Sequence, residues 1–68
     1  MFTVDTKGYS CPEPVLMTKR AVEAGNKELQ VFVDTHVAQE NVTRYLESEG
    51  FQVTVSENNH GATITAKK

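Results

Sequence analysis

Sixty-eight residues leave room for one small domain, 1–68, because folded domains cluster at about 100–150 residues and so short a chain hides only about 60% of the surface its unfolded form exposes. Seven Lys and Arg against nine Asp and Glu give a net charge of −2, scattered rather than striped, which argues against direct nucleic-acid binding. No apolar run approaches the roughly 20 residues of a membrane helix, and an enclosed substrate pocket is not expected. The segment Met1–Asp5 has neither a basic stretch nor a long apolar one, so a cytoplasmic location is expected. Cys11 is the one cysteine of the chain, which excludes an internal disulfide framework and a Cys-based metal site; neither metal nor cofactor is expected.

Two periodicities alternate along the chain. Phe2 and Val4 alternate with Thr3 and Asp5 as in a half-buried strand, which Gly8 interrupts. A helix is predicted from Pro12, since proline suits a first helical turn. Val15, Thr18 and Val22, flanked by Leu16 and Ala21, make its apolar face, and Gly25-Asn26 its stop. Leu29, Val31 and Val33 form one face of a second strand, with Gln30, Phe32 and Asp34 on the other. After a loop through Thr35 and His36, a second helix carries Ala38, Val42, Tyr45 and Leu46 and ends at Gly50. Phe51, Val53 and Val55, then Ala62, Ile64 and Ala66, mark two further strands of a hairpin turning through Asn58-Asn59-His60-Gly61.

The order β-α-β-α-β-β makes the fold class α+β, a two-layer α/β sandwich. One sheet face is apolar on all four strands, so both helices should cover that side; Thr3, Gln30, Phe32, Gln52, Thr54, Thr63 and Thr65 should line an open face. That register predicts Phe32 to be markedly more exposed than Val31 and Val33.

Cys11 falls between a strand end and a helix start. Helix N-termini carry unpaired N–H groups and about half a positive charge, which favours a thiolate. Pro12 stiffens the turn and Pro14 restricts Glu13, so the sulfur sits on a rigid platform rather than on a slack loop. A lone cysteine is ordinarily a small buried hydrophobe, but Ser10, Pro12, Glu13 and Pro14 are not core residues, and a reactive thiol is the reading adopted. A right-handed β-α-β crossover brings Asp34, Thr35 and His36 to the same sheet edge. His36 either hydrogen-bonds or deprotonates Cys11 or is a solvated surface residue; the second reading is preferred, and His60 also reads as surface. Glu13, Lys19 and Arg20 line an outer helix face, and Phe32 on the open face leaves a dimer contact or docking spot open.

The run Gly8-Tyr9-Ser10-Cys11-Pro12-Glu13-Pro14-Val15, followed by Thr18-Lys19-Arg20-Ala21, resembles the TusA/SirA-like sulfur-carrier family, whose signature is Cys-Pro-x-Pro at the first helix start. Val33-Asp34, Val37-Ala38, Glu40-Asn41-Val42 and Gly50-Phe51 further resemble its YedF branch, associated with selenium metabolism. The resemblance implies sheet order 1-2-4-3, with the last strand antiparallel to the others. It implies that Cys11, in the setting of Pro12, Glu13 and Pro14, accepts a sulfane sulfur as a persulfide from a cysteine desulfurase-type donor and passes it to a cysteine of an acceptor protein. The chain would thus be a sulfurtransferase acting only together with donor and acceptor proteins. Tyr9, where an aliphatic residue is usual, and Thr35-His36 depart from the family pattern, in loops that face partners. A persulfide is more acidic than a thiol, so a helix N-terminus suits the loaded form, and a carrier needs no pocket. The rival reading from another class is a protein-interaction or regulatory module using the open face around Phe32. A third, a peroxide-reducing thiol, requires rapid oxidation of Cys11 to a sulfenic acid.

Overall fold

Six elements follow one another as the alternation predicts: β1 (Phe2–Asp5), α1 (Glu13–Glu23), β2 (Glu28–Val33), α2 (His36–Ser48), β3 (Gln52–Asn58) and β4 (Gly61–Lys67). The computed structural model describes residues 2–9 and 13–68. The strands form one sheet in the order β1-β2-β4-β3. β1 runs parallel to β2, and β4 is antiparallel to both β2 and β3. The fold class and the sheet order expected from sequence and resemblance are therefore those observed.

The pairing register aligns side chains in rows across the sheet. Val4, Val31, Ile64 and Val55 stand side by side, and the next row, Asp5, Phe32, Thr63 and Ser56, points the other way. The first row faces the helices. Leu29, Val31, Ile64 and Ala66 on the sheet and Val42 and Leu46 on α2 are wholly buried, and each of the larger ones contributes roughly 1.5–3 kcal/mol by leaving water. On the other face, Thr3, Gln52 and Thr54 are exposed and Gln30, Thr63 and Thr65 half-buried. Phe32 is half-buried between two valines that have almost no accessible surface. The expected contrast holds, although the Lys7 ammonium lies 5.7 Å from the centre of the Phe32 ring, so the ring does not stand free.

The apolar stripe of α1 is rotated from the one expected. Pro14, Thr18 and Ala21 are its buried centre, Val15, Met17 and Val22 flank it, and Leu16 is turned outward. The spacing of 14, 18 and 21 is as helical as that of 15, 18 and 22, and in sequence a first-turn proline signals a helix start rather than core. Thr18 tolerates full burial because its Oγ1 donates to the Pro14 carbonyl at 2.9 Å, one turn back. The predicted start at Pro12 lies outside the described residues.

The second helix begins earlier than expected. The sequence pattern puts His36 in a loop, but it is the first residue of α2, and Thr35 is the N-cap. The Thr35 backbone is extended (φ −133°, ψ 153°), and its Oγ1 accepts from the Ala38 N–H at 3.1 Å, satisfying a donor that the helix itself cannot. Thr35→Ala should therefore lower stability by about 1 kcal/mol in urea unfolding, with an unchanged denaturant slope; an unaltered midpoint would mean that the cap carries no weight. At its far end α2 closes with a Schellman motif. The Gly50 N–H donates to the Glu47 carbonyl, the Phe51 N–H to that of Leu46, and the buried Phe51 and Leu46 supply the apolar residues of that motif.

Tyr45, half-buried near this end, has its phenol pKa raised above the usual value of 10.0 by burial, reinforced by the carboxylates of Glu49 and then Glu23. The folded state thus favours the neutral phenol. The stability that follows is complete below the unfolded pKa and is lost as pH rises through the higher folded one. Tyr45→Phe should flatten this alkaline decline, which unfolding midpoints measured on both sides of pH ~10 would detect; an identical decline in the variant would assign the effect elsewhere.

Candidate functional site

Because β1 and β2 are parallel, their C-terminal ends share one edge of the sheet, with Asp5 opposite Phe32. The connections into α1 and α2 both leave from that edge, so the two helix starts gather there. The loop into α1 begins at Thr6, which continues the β1 alternation inward and is completely buried. Both its N–H and its Oγ1 donate to the Phe32 carbonyl, at 2.9 Å and 2.6 Å. A buried hydroxyl without a partner is costly, and this pair of bonds resolves it while pinning the loop to β2.

The chain then turns tightly. The Tyr9 N–H donates to the Thr6 carbonyl at 3.2 Å, closing a four-residue turn in which Gly8 has φ +88°. A positive φ at the third position alone is the signature of a type II turn, which glycine occupies without steric cost. The carboxylate of Asp5 accepts from the Lys7 N–H at 3.0 Å, and that of Asp34, at the end of β2, accepts from the Gly8 N–H at 2.8 Å. The motif cysteine follows three residues after Gly8 in sequence.

Cys11 and Pro12 lie outside the described residues. Of the other expected site residues, Glu13 is exposed as the first residue of α1, and Pro14 is buried against the core. Asp34 is brought to the loop and bonded to it. Thr35 is committed to capping α2. The His36 side chain is 71% exposed, with Nε2 2.6 Å from Glu40 Oε1 one turn along, which fits its reading as a surface residue. His60 is exposed in the hairpin turn, its N–H donating to Asn58 Oδ1.

Sequence reasoning did not single out Thr6, whose only signal is that Phe2, Val4 and Thr6 share a strand face. It also passed over Val37 as an exposed residue. Tyr9, Leu16 and Val37 are 51%, 38% and 59% exposed, one on the loop and one in the first turn of each helix. Large apolar side chains standing in water near one edge mark a contact surface better than a single exposed residue does. The polar concavity between the α2 start and the hairpin, lined by Asp34, Thr35, His36, Gln39, Glu57 and Asn58, measures about 170 Å³, below the roughly 300–1,000 Å³ of small-molecule sites. Among the described residues, no three His, Cys, Asp or Glu side chains are placed to hold a metal ion, and no helix is long and apolar enough to cross a membrane.

Comparison with known proteins places this arrangement. A SirA-like protein from Desulfitobacterium hafniense, known from its crystal structure, superposes with a TM-score of 0.81 at 30% identity, over 98% of this chain and 95% of that one. A protein of Methanocaldococcus jannaschii named as a candidate sulfur carrier is 42% identical over 59 residues, which span 84% of this chain and 79% of that protein. The family model described as sulfurtransferase TusA matches residues 2–68. With its Cys-Pro-x-Pro run at 11–14 leading into α1 and its sheet in the order 1-2-4-3, the chain belongs to the sulfurtransferase TusA family.

Proposed function

We propose that the chain is a sulfur relay that carries a sulfane sulfur as a persulfide on Cys11. The observation that carries this reading is the position of the chain's one cysteine, between a turn fastened to β2 and the first residue of α1. In the first transfer the Cys11 thiolate attacks the terminal sulfur of a donor's cysteine persulfide. A sulfur–sulfur bond forms to Cys11, the donor's own sulfur–sulfur bond breaks, and the donor cysteine leaves as a thiolate. In the second, an acceptor thiolate attacks the terminal sulfur held by Cys11, and Cys11 leaves as the thiolate that began the cycle. Neither step has a net change of oxidation state, so no redox cofactor enters.

The loaded form is an anion at neutral pH, and the N-terminus of α1, carrying roughly half a positive charge, favours both it and the attacking thiolate. Donor and acceptor are proteins in this reading: a cysteine desulfurase-type donor and a cysteine-bearing acceptor. The shallow polar concavity beside the loop suits contact with another surface better than enclosure of a small molecule, and Tyr9, Leu16 and Val37 offer apolar anchors. One cysteine relays and does not turn over unaided.

The test is incubation with a cysteine desulfurase and free cysteine, followed by intact mass measurement. The protein should gain one sulfur atom and lose it under reductant. A selenium cargo, which the YedF resemblance implies, would be recognised in the same measurement by its larger increment after incubation with selenocysteine. Protein that gains nothing from an active desulfurase overturns the relay reading.

A further inference from the structure

Asp34 is exposed at the end of β2, yet its carboxylate is occupied by an amide 26 residues away in the chain. The turn that precedes the cysteine meets β2 at two points. Thr6 holds the Phe32 carbonyl with its N–H and its hydroxyl, and two residues further on, just past the end of β2, the Asp34 carboxylate takes the Gly8 N–H at 2.8 Å. The Tyr9–Thr6 and Asp5–Lys7 bonds hold the shape of the turn, but an attachment to β2 at Thr6 alone would leave the turn free to pivot there as a unit. The second attachment removes that pivot and fixes the turn against the end of β2, three residues before Cys11 in the sequence. A carboxylate is well suited to this, because a hydrogen bond to an ionised acceptor is shorter and roughly twice as strong as a neutral one, and this one must compete with water.

We infer that Asp34 is a positioning residue of sulfur transfer, acting through Gly8 on the loop that bears Cys11 and not on the sulfur itself. The inference rests on the relay reading above and extends it to a second residue. The clasp also makes an electrostatic demand of its own. A carboxylate charge near a cysteine opposes the thiolate, so an Asp34 that acted on the sulfur would do so by slowing the thiol's reactions. Positioning and charge therefore predict opposite outcomes for removal of the carboxylate, and asparagine, which keeps an acceptor oxygen without the charge, separates them.

Three measurements on wild-type protein, Asp34→Ala and Asp34→Asn test this: hydrogen exchange of the Gly8 amide by NMR, the rate of sulfur loading from a desulfurase, and alkylation of Cys11 by a small uncharged reagent. In Asp34→Ala the Gly8 amide should exchange at least about tenfold faster, and loading should slow by roughly tenfold as the sulfur loses its fixed approach. Alkylation, which any orientation permits, should change less than loading. Asp34→Asn should recover most of the Gly8 protection and most of the loading rate. If Asn and Ala both accelerate alkylation and loading, Asp34 acts by charge and the positioning role is overturned. It is equally overturned if wild-type protein loads and Asp34→Ala loads at the same rate. Wild-type protein that takes up no sulfur overturns the relay reading and this role in it, an outcome distinguished from the others because it precedes any substitution.

Discussion

Cys11→Ser is expected to abolish sulfur uptake altogether. In the relay proposed here the cargo is held by a sulfur–sulfur bond, and a serine oxygen neither attacks a persulfide at neutral pH nor forms a stable equivalent of that bond. The substitution changes one atom, and the described residues that precede it in the chain, Thr6 and Gly8, owe their bonds to Phe32 and Asp34 and not to the cysteine. The fold should therefore be unaffected, with a thermal midpoint within a few degrees of wild type. Intact mass after incubation with a desulfurase and cysteine is the direct measurement. A Cys11→Ser variant that still gains a reductant-labile sulfur would sink the proposed chemistry, since no other cysteine exists in the chain to hold it.

Gly61→Ala should be the most destabilising of the four possible glycine-to-alanine substitutions in the chain. Gly61 begins β4 with φ +138°, and a Cβ there would lie 2.0 Å from the Val33 carbonyl oxygen and 2.8 Å from the Asp34 Cα. These are backbone atoms of the neighbouring strand, so no side chain can swing aside. The strands would have to separate where β2 ends and the loop-bearing edge begins. Adding steric overlap to backbone strain, the expected loss is about 3–5 kcal/mol. A domain of this length has roughly 3–10 kcal/mol in all, so the variant should be close to unfolding at room temperature. Gly25→Ala is the internal comparison: its φ is +97° but no atom lies within 4 Å of the added carbon, and strain alone should cost about 1 kcal/mol. Urea midpoints for the two variants should differ widely; equal midpoints would show that the crowding at Gly61 relaxes cheaply. A surviving Gly61→Ala fraction should also expose the Gly8 amide to exchange, because Asp34 sits on the displaced backbone.

Strand existence, strand faces and helix order were legible because burial imposes a period. Leu29, Val31 and Val33 could only face one way once alternation was accepted, and the hidden side of the sheet followed from the same rule on Ala62, Ile64 and Ala66. The half-buried state of Phe32 is the same rule seen from the open face. The helical face of α1 was less determinate. A period of 3.6 over 11 residues allows two overlapping stripes, and only the sheet beneath decided that Pro14 and Met17 turn inward while Leu16 does not. The start of α2 moved for a local reason: Thr35 offers a hydroxyl to an unpaired N–H, so a residue read as loop is a cap and His36 becomes helical.

The division at the site follows the range of the forces involved. The Cys-Pro-x-Pro run is a local statement: a thiol followed by prolines at 12 and 14 is written within four consecutive residues, 11–14, and needs no partner elsewhere in the chain to be read. The parallel pairing of β1 and β2, inferred from the crossover rule, was enough to bring Asp34, Thr35 and His36 to the right edge. What each does there was not written locally. Asp34 and His36 are both exposed polar residues two positions apart, yet one reaches 26 residues back to the Gly8 amide and the other bonds to Glu40 on its own helix. That choice depends on where β1 ends relative to β2, on the direction of the Gly8 N–H within its turn, and on the close approach that Gly61 permits. Hydrogen bonds form or fail over a few tenths of an ångström, a precision that a pattern of apolar and polar residues does not contain and that only the assembled sheet supplies.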